Sequence, residues 1–232
     1  MTHFIIQPPP VPSLAVAGSS ARFPLARVFC IGRNYRWQAD EPAPTGPPSW
    51  FMKPASAVLD AHEPLHYPPQ TRDFCHEVEW VVALSAGGRD LPAQEVEARC
   101  IWGYGVGLDL TRRDLQQEAK RQGQPWEPAK AFDQSALCAP LVPAAQCGHP
   151  KQGAIWLEVN GRQRQQADLA DLLFGVPELV ALLSRSVRLQ AGDLIFTGTP
   201  AGVGPLQVGD TLSAGIEGLG AFSSTVLAPT KE

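Results

Sequence analysis

Residues 75–84 read CHEVEWVVAL. Val78, Trp80 and Val82 alternate with Glu77, Glu79 and Val81, and this period of two predicts a strand with both glutamates on one face. Carboxylates on a half-buried strand ordinarily face water. Here the run Trp80-Val81-Val82-Ala83-Leu84 is apolar at both parities, which predicts burial on both faces and carries two negative charges inward. Side chains two residues apart on a strand are separated by about 6.6 Å. They repel each other, and burial makes ionisation costly unless a cation lies between them. A metal ion would resolve that conflict.

A third carboxylate, Asp109, ends the apolar, glycine-rich run of WGYGVGLDLTRRD (residues 102–114). Its ordinary role would be to compensate the dipole of a following helix, although Thr111 is better placed as the cap. Three carboxylates with no neighbouring histidine or cysteine ligand form a hard, all-oxygen set. Such a set suits Mg²⁺ first, then Mn²⁺, with Ca²⁺ as a substitute, and suits Zn²⁺ or Cu²⁺ poorly. Three carboxylates fill half an octahedron and leave room for water and a chelating substrate, whose carbonyl the metal would polarise. Lys130 in EPAKAFDQSA (127–136) is by default a solvated lysine, but in an anionic metal pocket it would stabilise a developing enolate. Further polar residues stand at strand ends or beside glycine: Arg33 and Tyr35 in GRNY, Lys53 in FMKP, Arg113 and Gln116 in TRRDLQ, Thr197 and Thr199 in TGTPAGVG. The last segment lacks the spacing of a phosphate-binding P-loop.

The rest of the chain predicts an α+β, mainly β protein with a few short helices. It has 232 residues, with 21 glycines and 23 prolines against only 18% charged residues, a balance that excludes a helical bundle and favours many short strands and turns. Residues 1–24 read as an extended N-terminal arm, and residues 25–232 as a single catalytic domain. ARVFCIGRNY and SWFMKP are strand-like, and the proline-rich EPAPTGPP (41–48) between them reads as a surface loop or lid. Helices are expected over DLPAQEVEARC, capped by Asp90 with Pro92 in the first turn, and over TRRDLQQEAKRQG, with Thr111 and Asp114 at capping-box spacing and Gly123 as the stop. A third is expected over PELVALLSRS, with Leu179, Leu182 and Leu183 on one face. Asn160-Gly161 signals a tight hairpin, and residues 192–222 read as short strands between glycine turns. The net charge of −4 offers no basic stripe for nucleic acid. No apolar run reaches the roughly 20 residues of a membrane span, so the expectation is a cytoplasmic protein without membrane partners. Five cysteines without a C-x-x-C pair read as reduced thiols, with zinc at Cys138, Cys147 and His149 as a minor alternative.

The ordered motifs CIGRNY, FMKP, HEVEWVVAL, GYGVGLDLTRRDLQ, GQPWEPAKAFD, WLEVNG and GDLIFTGTPAGVGP resemble the fumarylacetoacetate hydrolase family, specifically its single-domain members, over roughly residues 25 to 228. The resemblance implies a mixed β-roll of the family's C-terminal type, usually a homodimer, with Mg²⁺ or Mn²⁺ held by Glu77, Glu79 and Asp109. It places the substrate-holding, enolate-stabilising lysine at Lys130. Arg33, Tyr35, Arg113, Gln116 and Thr199 become candidates for the substrate pocket, with Lys53 beside them, and the substrate is expected to be a 2-oxo acid. The chain departs from the family in one respect. Hydrolytic and decarboxylating relatives carry a histidine three residues before a glutamate after GRNY, whereas this chain has Gln38 and Glu41. Glutamine hydrogen-bonds a water but takes no proton from it at neutral pH, which leaves Glu41 as the candidate base and His62, His66 or His76 as spatial substitutes. His76, beside the metal strand, is expected to be structural. The expected activity is therefore decarboxylation or keto–enol isomerisation of a 2-oxo acid. The alternatives are acylpyruvate-type C–C hydrolysis and a non-catalytic 2-oxo-acid-binding relative.

Overall fold

The computed structural model describes residues 3–36 and 46–230. Its centre is a sheet in which Ser49–Pro54, Arg27–Gly32, Asp193–Phe196, Val78–Leu84, Ile101–Asp109, Ala136–Cys138 and Val58–Asp60 follow one another as hydrogen-bonded neighbours. Two pairings are parallel, Asp193–Phe196 with Arg27–Gly32 and Ala136–Cys138 with Val58–Asp60; the others are antiparallel. The glutamate strand lies in the middle, and every residue from Val78 to Leu84 is buried. Its two parities enter different cores. Val78, Trp80, Val82 and Leu84 meet the second sheet through Ile155, Leu157, Leu212 and Ile216, and the helix Val176–Ser186 through Leu179 and Leu183. Val81 and Ala83 meet Val28, Cys30, Leu194, Phe196 and the N-terminal residues Leu14 and Phe23. The second sheet runs Arg162–Asp168, Ala154–Val159, Thr211–Ile216, Gly220–Leu227, Leu65–His66. Its first hairpin turns at Asn160 and Gly161 with φ of 54° and 69°, as the sequence predicts.

The even reading of residues 75–84 as one strand needs a refinement that matters for the site. Phe74–His76 pairs with Thr111–Arg112 and Gly204–Leu206 in a separate three-stranded sheet, while Val78 begins the central one. Glu77 is the junction on one strand and Leu110 on its neighbour, and the two chains stay joined there by the Asp109 N–H to Glu77 C=O bond of 2.8 Å. Alternation persists across the corner. On the neighbouring strand Tyr104, Val106 and Leu108 face the first core, so Gly103, Gly105, Gly107 and Asp109 share the other face, the one that carries Glu79. Gly107 stands directly opposite Glu79.

Several local expectations change. The helix Ala93–Arg99 starts after Pro92 without a side-chain cap. Asp90 lies too early to cap it, in a left-handed turn at φ 49°. The helix Arg113–Gln122 also lacks a side-chain cap: the Thr111 hydroxyl donates to Glu77 Oε1 (3.2 Å), and Asp114 accepts from the Thr71 hydroxyl (2.6 Å) and the Arg72 N–H (2.9 Å). Gly123 does end that helix in the left-handed conformation at φ 66°. Leu182 is only half-buried, and Val176 and Val180 join Leu179 and Leu183 in the core instead. Residues 13–15 and 22–24 of the N-terminal arm form a hairpin. No helix among the described residues is long and apolar enough to cross a membrane.

A β-carbon at Gly107 would lie 2.7 Å from Phe196, 2.8 Å from the Leu137 carbonyl and 2.9 Å from Val81. Gly107→Ala is therefore expected to destabilise the fold by about 1–3 kcal/mol, read as a lowered midpoint in urea or heat, with an unchanged result contradicting the packing described.

Candidate active site

The corner brings Glu77, Glu79 and Asp109 together with one carboxylate oxygen of each within 4.8 Å of the others, all three residues buried. Two ammonium groups sit against them. Lys130, at the end of the short helix Glu127–Lys130, donates from Nζ to Glu77 Oε2 (2.9 Å) and Asp109 Oδ2 (2.8 Å). Lys53 Nζ lies 2.9 Å from Asp109 Oδ1. Its hydrogens are shared with the carbonyls of Leu110 (3.2 Å), Ser135 (2.9 Å) and Lys130, so among the described residues Oδ1 is held chiefly by the charge of Lys53. Arg113 Nη1 reaches Glu77 Oε1 at 3.4 Å and Gln116 Oε1 at 2.8 Å.

Glu79 differs from the other two. It is 1% exposed, and among the described residues it has no ion-pair partner; its Oε2 accepts the Gly198 N–H at 2.7 Å. Burial, reinforced by the charges of Asp109 and Glu77, pushes its carboxyl well above the ordinary 4.5. Burial acts on Asp109 in the same direction, but Lys130 and Lys53 outweigh it and hold that carboxyl below 3.8. Lys130 is buried as well, which alone would lower its pKa, yet Asp109 and Glu77 hold its ammonium above 10.5. An all-oxygen set that includes one buried carboxylate without an ion-pair partner among the described residues fits a hard divalent cation.

This cluster floors a cleft of about 320 Å³ whose walls include Arg33, Arg113, Gln116, Lys120, Lys130 and Thr199. The sequence reading missed Lys120, although its spacing from Arg113 and Gln116 places all three on one helix face. Arg33 holds a left-handed φ of 57°, and the next residue, Asn34, is fully buried and braces it. Asn34 Nδ2 donates to the Phe174 (3.0 Å) and Thr197 (2.9 Å) carbonyls, while Oδ1 accepts the Phe174 N–H (2.8 Å). Gly198, at φ 100°, packs so closely that a β-carbon there would come within 2.8 Å of Asn34.

Other expected site residues fall elsewhere. Tyr35 and Lys53 are buried and do not line the cleft; among the described residues the Tyr35 hydroxyl has no hydrogen-bond partner, and burial pushes its pKa up. Gln38 and Glu41, and with them the first part of the expected lid, lie outside the described residues. None of the spatial substitutes reaches the cleft: His62 is exposed, His66 pairs with Gln134, and His76 Nδ1 faces Gln165 Oε1 at 2.9 Å. The zinc alternative does not assemble, because His149 bonds the Tyr104 hydroxyl and Cys147 donates to the Pro143 carbonyl.

The family described as Fumarylacetoacetate (FAA) hydrolase C-terminal matches residues 27–227. The chain belongs to the fumarylacetoacetate hydrolase family. An Escherichia coli relative in that family, oxaloacetate tautomerase YcgM, is 42% identical over 87% of this chain and 93% of its own length. The crystal structure of Pseudomonas aeruginosa fumarylpyruvate hydrolase in complex with Mn²⁺ and pyruvate is 44% identical, with a TM-score of 0.92 over 98% of this chain and all of the other. That of a candidate fumarylpyruvate hydrolase from Burkholderia cenocepacia is 50% identical, with a TM-score of 0.93 over 99% of this chain and all of the other. The mainly β architecture with few helices is thus the family fold.

Two outcomes are expected of Glu79. Its Glu79→Gln variant should fold at least as well as the metal-free wild type but lose the thermal stabilisation that Mg²⁺ or Mn²⁺ gives; a shift as large as the wild type's would remove Glu79 from the metal site. Metal-free stability should also depend on pH through this group. Because its folded pKa is raised, the unfolded chain releases the proton first. The stability linked to this group is full below about pH 4.5 and is lost as pH rises toward the folded pKa. Asp109, ionised in both states over that window, adds no slope. The stability difference between wild type and Glu79→Gln, measured by urea unfolding from pH 5 to 8, should therefore shift in favour of the variant.

Proposed function

We propose that the protein is a Mg²⁺-dependent enzyme that converts a 2-oxo acid through its enolate, by keto–enol isomerisation or decarboxylation. The observation that carries this reading is the buried, unpaired Glu79 beside Glu77 and Asp109 at the floor of a cleft with cationic walls. Glu77, Glu79 and Asp109 would hold the divalent ion, which would supply Lewis-acid polarisation of the keto group. The remaining work falls to the chain. Arg33, Arg113 and Lys120 present positive charge to substrate carboxylates. Lys130, held against Glu77 and Asp109 and therefore kept protonated, stabilises negative charge on the enolate oxygen. Phe51, whose ring lies 5.1 Å from Lys130 Nζ, shields that ammonium from water. Glu41 is the proposed proton-transfer base, and Gln38 stands where hydrolytic and decarboxylating relatives have histidine. Neither reaction needs an activated water, so Gln38 costs them less than it would cost hydrolysis.

Cleavage of an acylpyruvate by water is the second reading. It is supported by the similarity to fumarylpyruvate hydrolase, which spans 98% of the chain, whereas the tautomerase match spans 87%. We also propose the family's homodimer as the working form.

Oxaloacetate, as enol and as keto form, and fumarylpyruvate should be offered to the enzyme with Mg²⁺ and the products identified. Isomerisation or decarboxylation of oxaloacetate faster than fumarylpyruvate cleavage supports the first reading, and the reverse order selects the second. No turnover of either substrate would contradict both. Lys130→Ala should lower kcat about 100-fold or more on the substrate turned over, and a variant retaining full kcat would exclude Lys130 from the chemistry. Gln38→His is expected to raise cleavage relative to isomerisation.

A further inference from the structure

Gln165 lies on the outer strand Arg162–Asp168, is 1% exposed and touches no part of the cleft surface. Its amide joins two site segments. Oε1 accepts the N–H of Val78, the residue between the two glutamates, at 3.0 Å, and Nε2 donates to the Pro200 carbonyl at 2.9 Å. A backbone N–H only donates and a carbonyl only accepts, so these two bonds fix which end of the amide is which. The consequence falls on Thr199. The second Nε2 hydrogen goes to Thr199 Oγ1 at 2.8 Å, which makes that hydroxyl oxygen an acceptor in this contact. Its own hydrogen must then point elsewhere. Among the described residues it has no acceptor, and Thr199, 7% exposed, lines the cleft beside Glu79.

We infer that Gln165 is a positioning residue that locks the Thr199 hydroxyl as a donor into the cleft, so that the site selects a ligand group that only accepts hydrogen bonds, the carboxylate of the 2-oxo acid. The inference rests on the 2-oxo-acid reading above and adds a source of specificity to it. A carboxylate takes the fixed hydrogen without penalty. A primary amide in its place presents two hydrogens of its own and fits only in one orientation. Gln165 achieves this from behind the wall. His76 supports it: Oε1 cannot donate, so His76 Nδ1 must carry the proton in its 2.9 Å contact with that oxygen.

The test is a double-mutant cycle of Gln165→Glu and Thr199→Val, reading calorimetric affinity for pyruvate and for its neutral amide, pyruvamide, with saturating Mg²⁺. Glutamate at 165 has no hydrogen for Thr199 and would instead accept the Thr199 hydroxyl, turning it away from the cleft. The wild type should prefer pyruvate, and Gln165→Glu should reduce that preference about tenfold. In the Thr199→Val background the same change should reduce the preference clearly less, leaving only the part due to charge. This background also separates the hydroxyl from the added charge, which would repel pyruvate whether or not Thr199 is present. Equal weakening of both ligands, or an equal change of preference in both backgrounds, would overturn the inference. If Gln165→Glu does not fold, Gln165→Met removes the donor without charge and should reduce the preference about threefold only where Thr199 is present; no reduction overturns it. A wild type that binds Mg²⁺ but neither ligand would refute the 2-oxo-acid reading, and this inference with it.

Discussion

Placing three carboxylates inside a sheet corner is the constraint on which the rest of this structure depends. Unpaired buried anions are too costly to keep ionised, and the fold answers each one differently. Glu77 is met by Lys130, Arg113 and the Thr111 hydroxyl, Asp109 by Lys130 and Lys53, and Glu79 by a single backbone N–H. The incomplete answer at Glu79 is what would make the corner a place for a cation. Arg33, Arg113, Lys120 and Lys130 already outnumber the three carboxylates around the cleft, and a divalent ion would enlarge that positive excess toward an anionic substrate.

The supporting structure explains why the corner does not collapse. Gly107 lets the neighbouring strand and Phe196 close around Glu79, and the left-handed Gly198 brings its N–H onto that carboxylate while packing against Asn34. Lys53 binds the carbonyls of Leu110, Lys130 and Ser135 together, so the segment that presents Lys130 is tied to the strand that presents Asp109. These are rigid, buried supports, suited to holding ligand atoms in fixed positions.

Much of this was legible in the sequence because the decisive signals are local. Period-two alternation in residues 75–84, the apolar, glycine-rich run before Asp109 and the Asn160-Gly161 turn each act over a few residues. Arg33, Arg113, Gln116, Lys130 and Thr199, each singled out from a local motif, line the cleft together with the three carboxylates. What was not legible depends on long-range partners. Lys53 reads as a strand-end lysine until the carbonyls it binds are assembled, 57 to 82 residues away in sequence. Gln165, in a polar hairpin strand, gains its meaning only from Val78 and Thr199. The caps failed for the same reason: Thr111 and Asp114 have the right spacing, but Glu77 and the Thr71 loop claim their side chains.

The central claim is that Glu77, Glu79 and Asp109 share one divalent ion. Anomalous diffraction at the manganese edge from crystals grown with Mn²⁺ tests it most directly. The account predicts a single strong peak in coordination contact with an oxygen of each of the three carboxylates. A peak elsewhere, or none at the corner with all three carboxylates ordered, would contradict it.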